Sequence, residues 1–198
     1  MKQILGNHWL AHEGSLEAGK GSELEAAAKL AVQKCCRLFE LACNPINGMP
    51  ADETAGALLA AGMPSASYCR FFPDPSFGDP LGDDAAVKTA LETFENDIRF
   101  IQDLRSGGLK VEFVTGPSCF VLGQKNQLDR TETRRRIGDY YAQVGKMING
   151  EGITVCVEYL RPGEDEGVIG GMTEMCHLID QISLPSIQIH GDVFHMHE

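Results

Sequence analysis

Apolar residues along this chain recur in two rhythms that take turns: steps of three and four residues, and short unbroken or alternating runs. Leu24, Ala27, Ala28 and Ala31 share one face of a helix, and Val87, Leu91, Phe94, Ile98 and Ile101 repeat at helical steps over about Asp84 to Arg105. Ile137, Tyr141, Val144 and Ile148 line one side of a helix over Asp129 to Asn149. Two shorter helices are predicted at Glu53–Ala61, stopped by Gly62-Met63-Pro64, and at Thr173–Ile182, followed by Pro185. Between them lie strand-like runs at Ile4–His8, Arg37–Ala42, Ser65–Phe72, Val111–Thr115, Ile153–Val157 and Ser186–Asp192. Ile153–Val157 is an unbroken apolar run, as expected of a parallel strand covered on both faces.

Six strands alternating with five helices make an α/β fold of parallel strands, either a doubly wound sheet or a closed barrel. Periodicity does not separate the two. A Gly-x-Gly-x-x-Gly turn opening the first helix would favour a dinucleotide-binding sheet, but Gly14, Gly19 and Gly21 have the wrong spacing for it. At 198 residues a single domain spanning residues 1–198 is expected.

Charge narrows the partners. With 17 basic against 28 acidic side chains the net charge is −11, and Arg134-Arg135-Arg136 is the longest basic run, read here as a solvated helix face. Such a field repels phosphate backbones, so nucleic acid is excluded as an expected partner. The apolar stretches fall far short of the ~20 residues a membrane helix needs, and no secretory leader is visible, so a cytoplasmic location is expected. Seven cysteines, odd in number and without a Cys-x-x-Cys pair, fit reduced thiols better than a disulfide framework or a zinc knuckle, and Cys35-Cys36 are expected to be buried.

Candidate chemistry gathers at strand ends. Glu158 directly follows Ile153–Val157 and Asp192 closes Ser186–Gly191, so both acids stand at the C-terminal lip of a strand, where α/β folds build their sites. Hard oxygen donors suit Mg²⁺ or Mn²⁺. A carboxylate meeting both the cation and a substrate C–H can remove a proton alpha to a carbonyl. His190, His195 and His197 alternate near Asp192 and offer imidazole nitrogens. Cys69 stands near the end of the third strand and Trp9 just after the first, where either lines a pocket or packs in the core. Glu40 lies inside the second strand between Phe39 and Leu41 and needs a partner if it faces inward.

Val157-Glu158-Tyr159-Leu160-Arg161 and Gly191-Asp192-Val193-Phe194-His195-Met196 resemble the strand-5 and strand-6 signatures of the xylose isomerase-like TIM barrels, in the ketose 3-epimerase and hydroxypyruvate isomerase branch. Arg37–Leu41 and Asp79–Leu91 extend the resemblance over the whole chain. It implies an incomplete (β/α) barrel with about six of eight parallel strands, and a sugar isomerase or epimerase that works through an enediolate on a small ketose or hydroxy-carbonyl. It further implies Glu158 as metal ligand and catalytic carboxylate, Asp192 as a second ligand, and His195 and Glu164 as substrate contacts, with Trp9 and Cys69 placed to join them. The implied cofactor is a divalent metal, Mn²⁺, Mg²⁺ or Co²⁺. The chain departs from the pattern at Tyr159, Arg161-Pro162 and Val193, which bears on sugar specificity.

In the family, further metal-binding and catalytic side chains come from strands 7 and 8, which are not among the six counted here. The expectation is therefore a C-terminally shortened form, or a remnant closed by a partner chain, that holds metal weakly and forms a homo-oligomer. Two other functions stay open: a non-catalytic binding or assembly protein that kept the fold, and a metal-dependent abasic-site endonuclease, against which the charge speaks.

Overall fold

A computed structural model describes residues 5–7, 21–42, 49–70, 75–117, 128–160, 169 and 171–192. Its strands are β1 (Leu5–Asn7), β2 (Leu38–Ala42), β3 (Ser65–Cys69), β4 (Lys110–Pro117), β5 (Thr154–Glu158) and β6 (Ile187–His190). Its helices are α1 (Gly21–Gln33), α2 (Ala51–Ala60), α3 (Asp84–Ser106), α4 (Arg130–Met147) and α5 (Met172–Ile182), with a 3₁₀ turn at Pro75–Phe77.

The strands follow one another in the sheet in the order β1-β2-β3-β4-β5-β6. That order decides between the two folds left open by periodicity. A doubly wound sheet must reverse direction somewhere to put helices on both faces, whereas a barrel wall adds each strand beside the last. No reversal occurs here. Pairing is parallel between β1 and β2, β2 and β3, and β5 and β6. The chain is thus an α/β fold carrying six strands in barrel order.

Two compact units divide the chain, one of residues 1–69 and 97–113, the other of residues 70–96 and 114–198. In the first, Phe39, Leu41, Ala66 and Tyr68 of β2 and β3 are buried, as are Ala55 and Leu58 of α2 and Ile101 and Leu104 of α3. Glu40 is also buried, opposite Ser67 in the β2–β3 register. Tyr68 donates its hydroxyl hydrogen to Asp97 Oδ1 over 2.8 Å, and its ring meets Phe100 at a centroid distance of 6.0 Å. Asp97 lies three residues beyond Phe94 and four before Ile101, so it rides on the buried stripe of α3. A charged group there needs a partner, and the tyrosine supplies one. Cys35 is exposed, against the expectation of burial. It adopts a left-handed φ of 64° in the turn that ends α1, where the amide of Cys36 donates back to the carbonyl of Ala31, so the residue is set by the helix stop rather than by its thiol.

In the second unit, Asp129 caps α4 by accepting from the amides of Thr131 and Glu132. Ile137, Tyr141, Val144 and Ile148 of the α4 segment are buried together with Met175 and Leu178 of α5 and Val155, Val157 and Ile187 of β5 and β6. The arginine run is only partly a solvated face. Arg134 and Arg135 are exposed and pair with Glu174, Glu132 and Asp139, but Arg136 is half-buried and donates to the carbonyls of Leu81 and Gly82. It ties α4 to the loop ahead of α3. Arg70, directly after β3, is buried with its guanidinium 5.4 Å from the centre of the Phe77 ring and donates to the Phe77 carbonyl.

Candidate functional site

β5 forms because Thr154–Val157 are β-branched or small and apolar, and it stops at Glu158, ahead of the loop that begins with Tyr159 and Leu160. Its burial alternates. Val155 and Val157 are buried, whereas Thr154, Cys156 and Glu158 are half-exposed. One face is therefore only partly covered, where the sequence led to the expectation of cover on both. The run reads as continuous apolar sequence only because threonine and cysteine occupy the open face.

In the parallel register Val155 pairs with Ile187, Cys156 with Gln188, Val157 with Ile189 and Glu158 with His190. Paired residues of a parallel ladder share a face, so Cys156, Glu158, Gln188 and His190 line the open one. Burial raises the thiol pKa of Cys156, which keeps it protonated and weakly reactive. His190 Nδ1 lies 3.6 Å from Glu158 Oε1, with side-chain exposures of 24% and 14%. That nitrogen is buried and has no hydrogen-bond partner among the described residues.

Asp192 follows His190 by two residues. The strand ends at His190, two residues earlier than the expected Asp192, so the acid belongs to the exit of β6. β5 and β6 are paired and parallel and end at Glu158 and His190, so Glu158 and Asp192 leave the same end of adjacent strands. Cys69 ends β3 in the first unit and is half-buried. Trp9, Glu164 and His195 lie outside the described residues. Sequence reasoning placed His190 only within a row of histidines. Its facing of Glu158 depends on strand register, which no local pattern reveals.

Glu158 and Asp192 offer the oxygen donors that a divalent cation takes, and the imidazole nitrogen of His190, 3.6 Å from Glu158, is a third polar group at the same strand ends. Among the described residues no three His, Cys, Asp or Glu side chains form a metal cage. The donor chemistry fits a cation in part, with further ligands to come from elsewhere. No helix among the described residues is long and apolar enough to cross a membrane.

No family model matches the sequence. No curated protein matches it either. Solved structures do. An L-ribulose 3-epimerase is 20% identical with a TM-score of 0.78, covering 99% of this chain and 62% of its own. A D-allulose 3-epimerase from Methylomonas sp. in complex with D-allulose is 18% identical with a TM-score of 0.79, covering 98% of this chain and 64% of its own. The IolI protein with a bound zinc atom is 12% identical with a TM-score of 0.72, covering 99% and 64%. The chain thus spans less than two thirds of the length of these structures. Strand order, parallel pairing and these similarities agree: the chain has the TIM-barrel type of fold seen in these structures, with six parallel strands in barrel order among the described residues.

Proposed function

We propose that this chain carries the site of a sugar isomerase or epimerase that moves a proton at the carbon alpha to a carbonyl. The observation that supports the reading is the exit of Glu158 and Asp192 from the same end of paired neighbouring strands. In this reading Glu158 takes the proton from the substrate carbon and Asp192 helps to fix the substrate's oxygens, with His195 and Glu164 as further substrate contacts. Glu158 and Asp192 would hold a divalent cation, Mn²⁺, Mg²⁺ or Co²⁺. Once bound, such an ion supplies a Lewis acid that polarises the carbonyl and lowers the acidity barrier at the adjacent carbon. Trp9 and Cys69 are proposed as further substrate contacts. The substrate is a small ketose or hydroxy-carbonyl, and the chain acts in a homo-oligomer.

A single experiment tests this. The chain is incubated in D₂O with Mn²⁺ or Co²⁺ and a panel of ketoses such as D-fructose and D-allulose, and exchange at the carbon beside the carbonyl is followed by proton NMR. Deuterium incorporation with formation of the epimer or isomer is expected. Absence of exchange from a folded chain overturns the reading. A second reading, a binding or assembly protein on the same fold, gives a different outcome. In that case the chain binds a sugar in calorimetry without exchanging its proton. The net charge of −11 speaks against an endonuclease reading.

A further inference from the structure

The open face of β5 and β6 carries a polar group that the proposed chemistry does not use. His190 stands opposite Glu158 in the ladder, with its Nδ1 3.6 Å from Glu158 Oε1. This nitrogen is sealed from solvent and has no hydrogen-bond partner among the described residues. Leaving a buried polar atom unsatisfied is unfavourable. The group it faces is a carboxylate, whose oxygens accept and, when ionised, donate nothing. The arrangement is therefore satisfied in one way, with the hydrogen on Nδ1 and the carboxylate accepting it. An N–H···O bond spans about 2.7–3.2 Å, so a closure of roughly half an ångström, within the reach of a small χ adjustment, completes it.

We propose that His190 is a positioning residue that donates its Nδ1 hydrogen to Oε1 of Glu158 and fixes the orientation of that carboxylate. With Oε1 engaged, the carboxylate is held in one orientation. Hydrogen bonds of this kind to ligating carboxylates hold them in one rotamer, and their loss typically lowers metal affinity about 10–100-fold. The consequence for metal rests on the reading of Glu158 given above; the hydrogen bond itself does not.

Two measurements on the full chain test it. In metal-free protein with ¹⁵N-labelled histidine, the ring shifts of His190 are expected to report a hydrogen on Nδ1, whether or not Nε2 also carries one. A neutral ring with its hydrogen on Nε2 and a bare Nδ1 overturns the proposal. In calorimetry with Mn²⁺, His190→Leu is expected to bind about 10–100-fold more weakly than the parent. His190→Asn places an amide nitrogen where Nδ1 stood and is expected to restore most of that loss. Equal impairment of the two variants, with both folded by circular dichroism, overturns the proposal; should either variant fail to fold, the ring shifts of the parent protein decide alone. Hydrogen on Nδ1 in a chain that binds no Mn²⁺ would remove the sugar-enzyme reading and leave the hydrogen bond standing.

Discussion

β3 and β5 are both five-residue strands with half-buried ends, yet they are buried differently at the centre, where Ser67 of β3 is covered and Cys156 of β5 is only partly so. Ala66, Ser67 and Tyr68 of β3 are buried in succession, although the segment is the more polar of the two. β5 buries only Val155 and Val157 and leaves Thr154, Cys156 and Glu158 half-exposed, although its sequence is the more apolar. What differs is the surroundings. Each has a strand on either side, β2 and β4 for β3, β4 and β6 for β5, but β6 is the last strand of the order and sets Gln188 and His190 beside Cys156 and Glu158. Coverage is a property of position in the sheet, and a half-open parallel strand ending in an acid marks a site better than the polarity of its sequence does.

The comparison is tested hardest at Glu158. A carboxamide has no basic oxygen to receive the proton, so Glu158→Gln is expected to lower isotope exchange about 10²–10⁴-fold while leaving urea unfolding close to the parent's. Retention of exchange would show that the open face is not where the chemistry happens.

Next in size is a clash just beyond the sealed strand. The amide of Arg70, which follows β3, donates to the carbonyl of Thr115 over 2.6 Å, and a Cβ at Gly116 would stand 1.8 Å from the Arg70 carbonyl oxygen. Backbone cannot yield as a side chain does. Gly116→Ala is expected to destabilise by about 3 kcal/mol in urea titrations. At Gly138, by contrast, a Cβ would meet only Leu178 Cδ1 at 3.6 Å, an ordinary contact in mid-helix. Gly138→Ala is expected to stabilise by about 0.5–1 kcal/mol. If both alanines behaved alike, the packing contrast between strand junction and helix surface would be wrong.

The buried side of β3 offers a finer cut. Tyr68→Phe keeps the ring against Phe100 and removes the hydroxyl that donates to Asp97, a carboxylate almost wholly buried. A loss of about 1–3 kcal/mol is expected, read as a lower urea midpoint at unchanged slope. A neutral effect would mean that Asp97 is satisfied by its other interactions.

Much of this architecture was legible because helical and strand periods are strong local signals. All six strands and five helices fall where periodicity places them, and Glu158 ends its strand as read. What periodicity left open depends on neighbours distant in sequence. The strand order that selects the barrel over the doubly wound sheet comes from pairing, as does the meeting of His190 with Glu158. Asp97 had a local signal, since its spacing from Phe94 and Ile101 puts it on the apolar stripe, but the partner that makes its burial tolerable sits 29 residues away. Arg136 looked like its two neighbours in the run, and it differs because the helix turns it toward the carbonyls of Leu81 and Gly82.

The smallest effect concerns that same stretch of α4. Hydrogen bonds from Arg135 and Arg136 hold the carboxyl of Glu132 well below the usual range, at about 2 against 4.5, and Arg135 is held correspondingly more basic. A carboxyl whose folded pKa is depressed contributes stability above its unfolded value and loses that contribution as the pH falls through the folded one. The window here runs from about 4.5 down to about 2. Because the group is exposed, solvent screens the pair and the effect on the whole protein is slight. Thermal unfolding followed by circular dichroism is therefore expected to show a Tm that falls a little more steeply across that window in the parent than in Glu132→Gln, with the two curves parallel above it. Parallel curves throughout would mean that the arginines bind the unfolded chain's carboxyl as well as the folded one. Arg136 would then hold the Leu81–Gly82 loop through its carbonyl contacts alone, without help from Glu132.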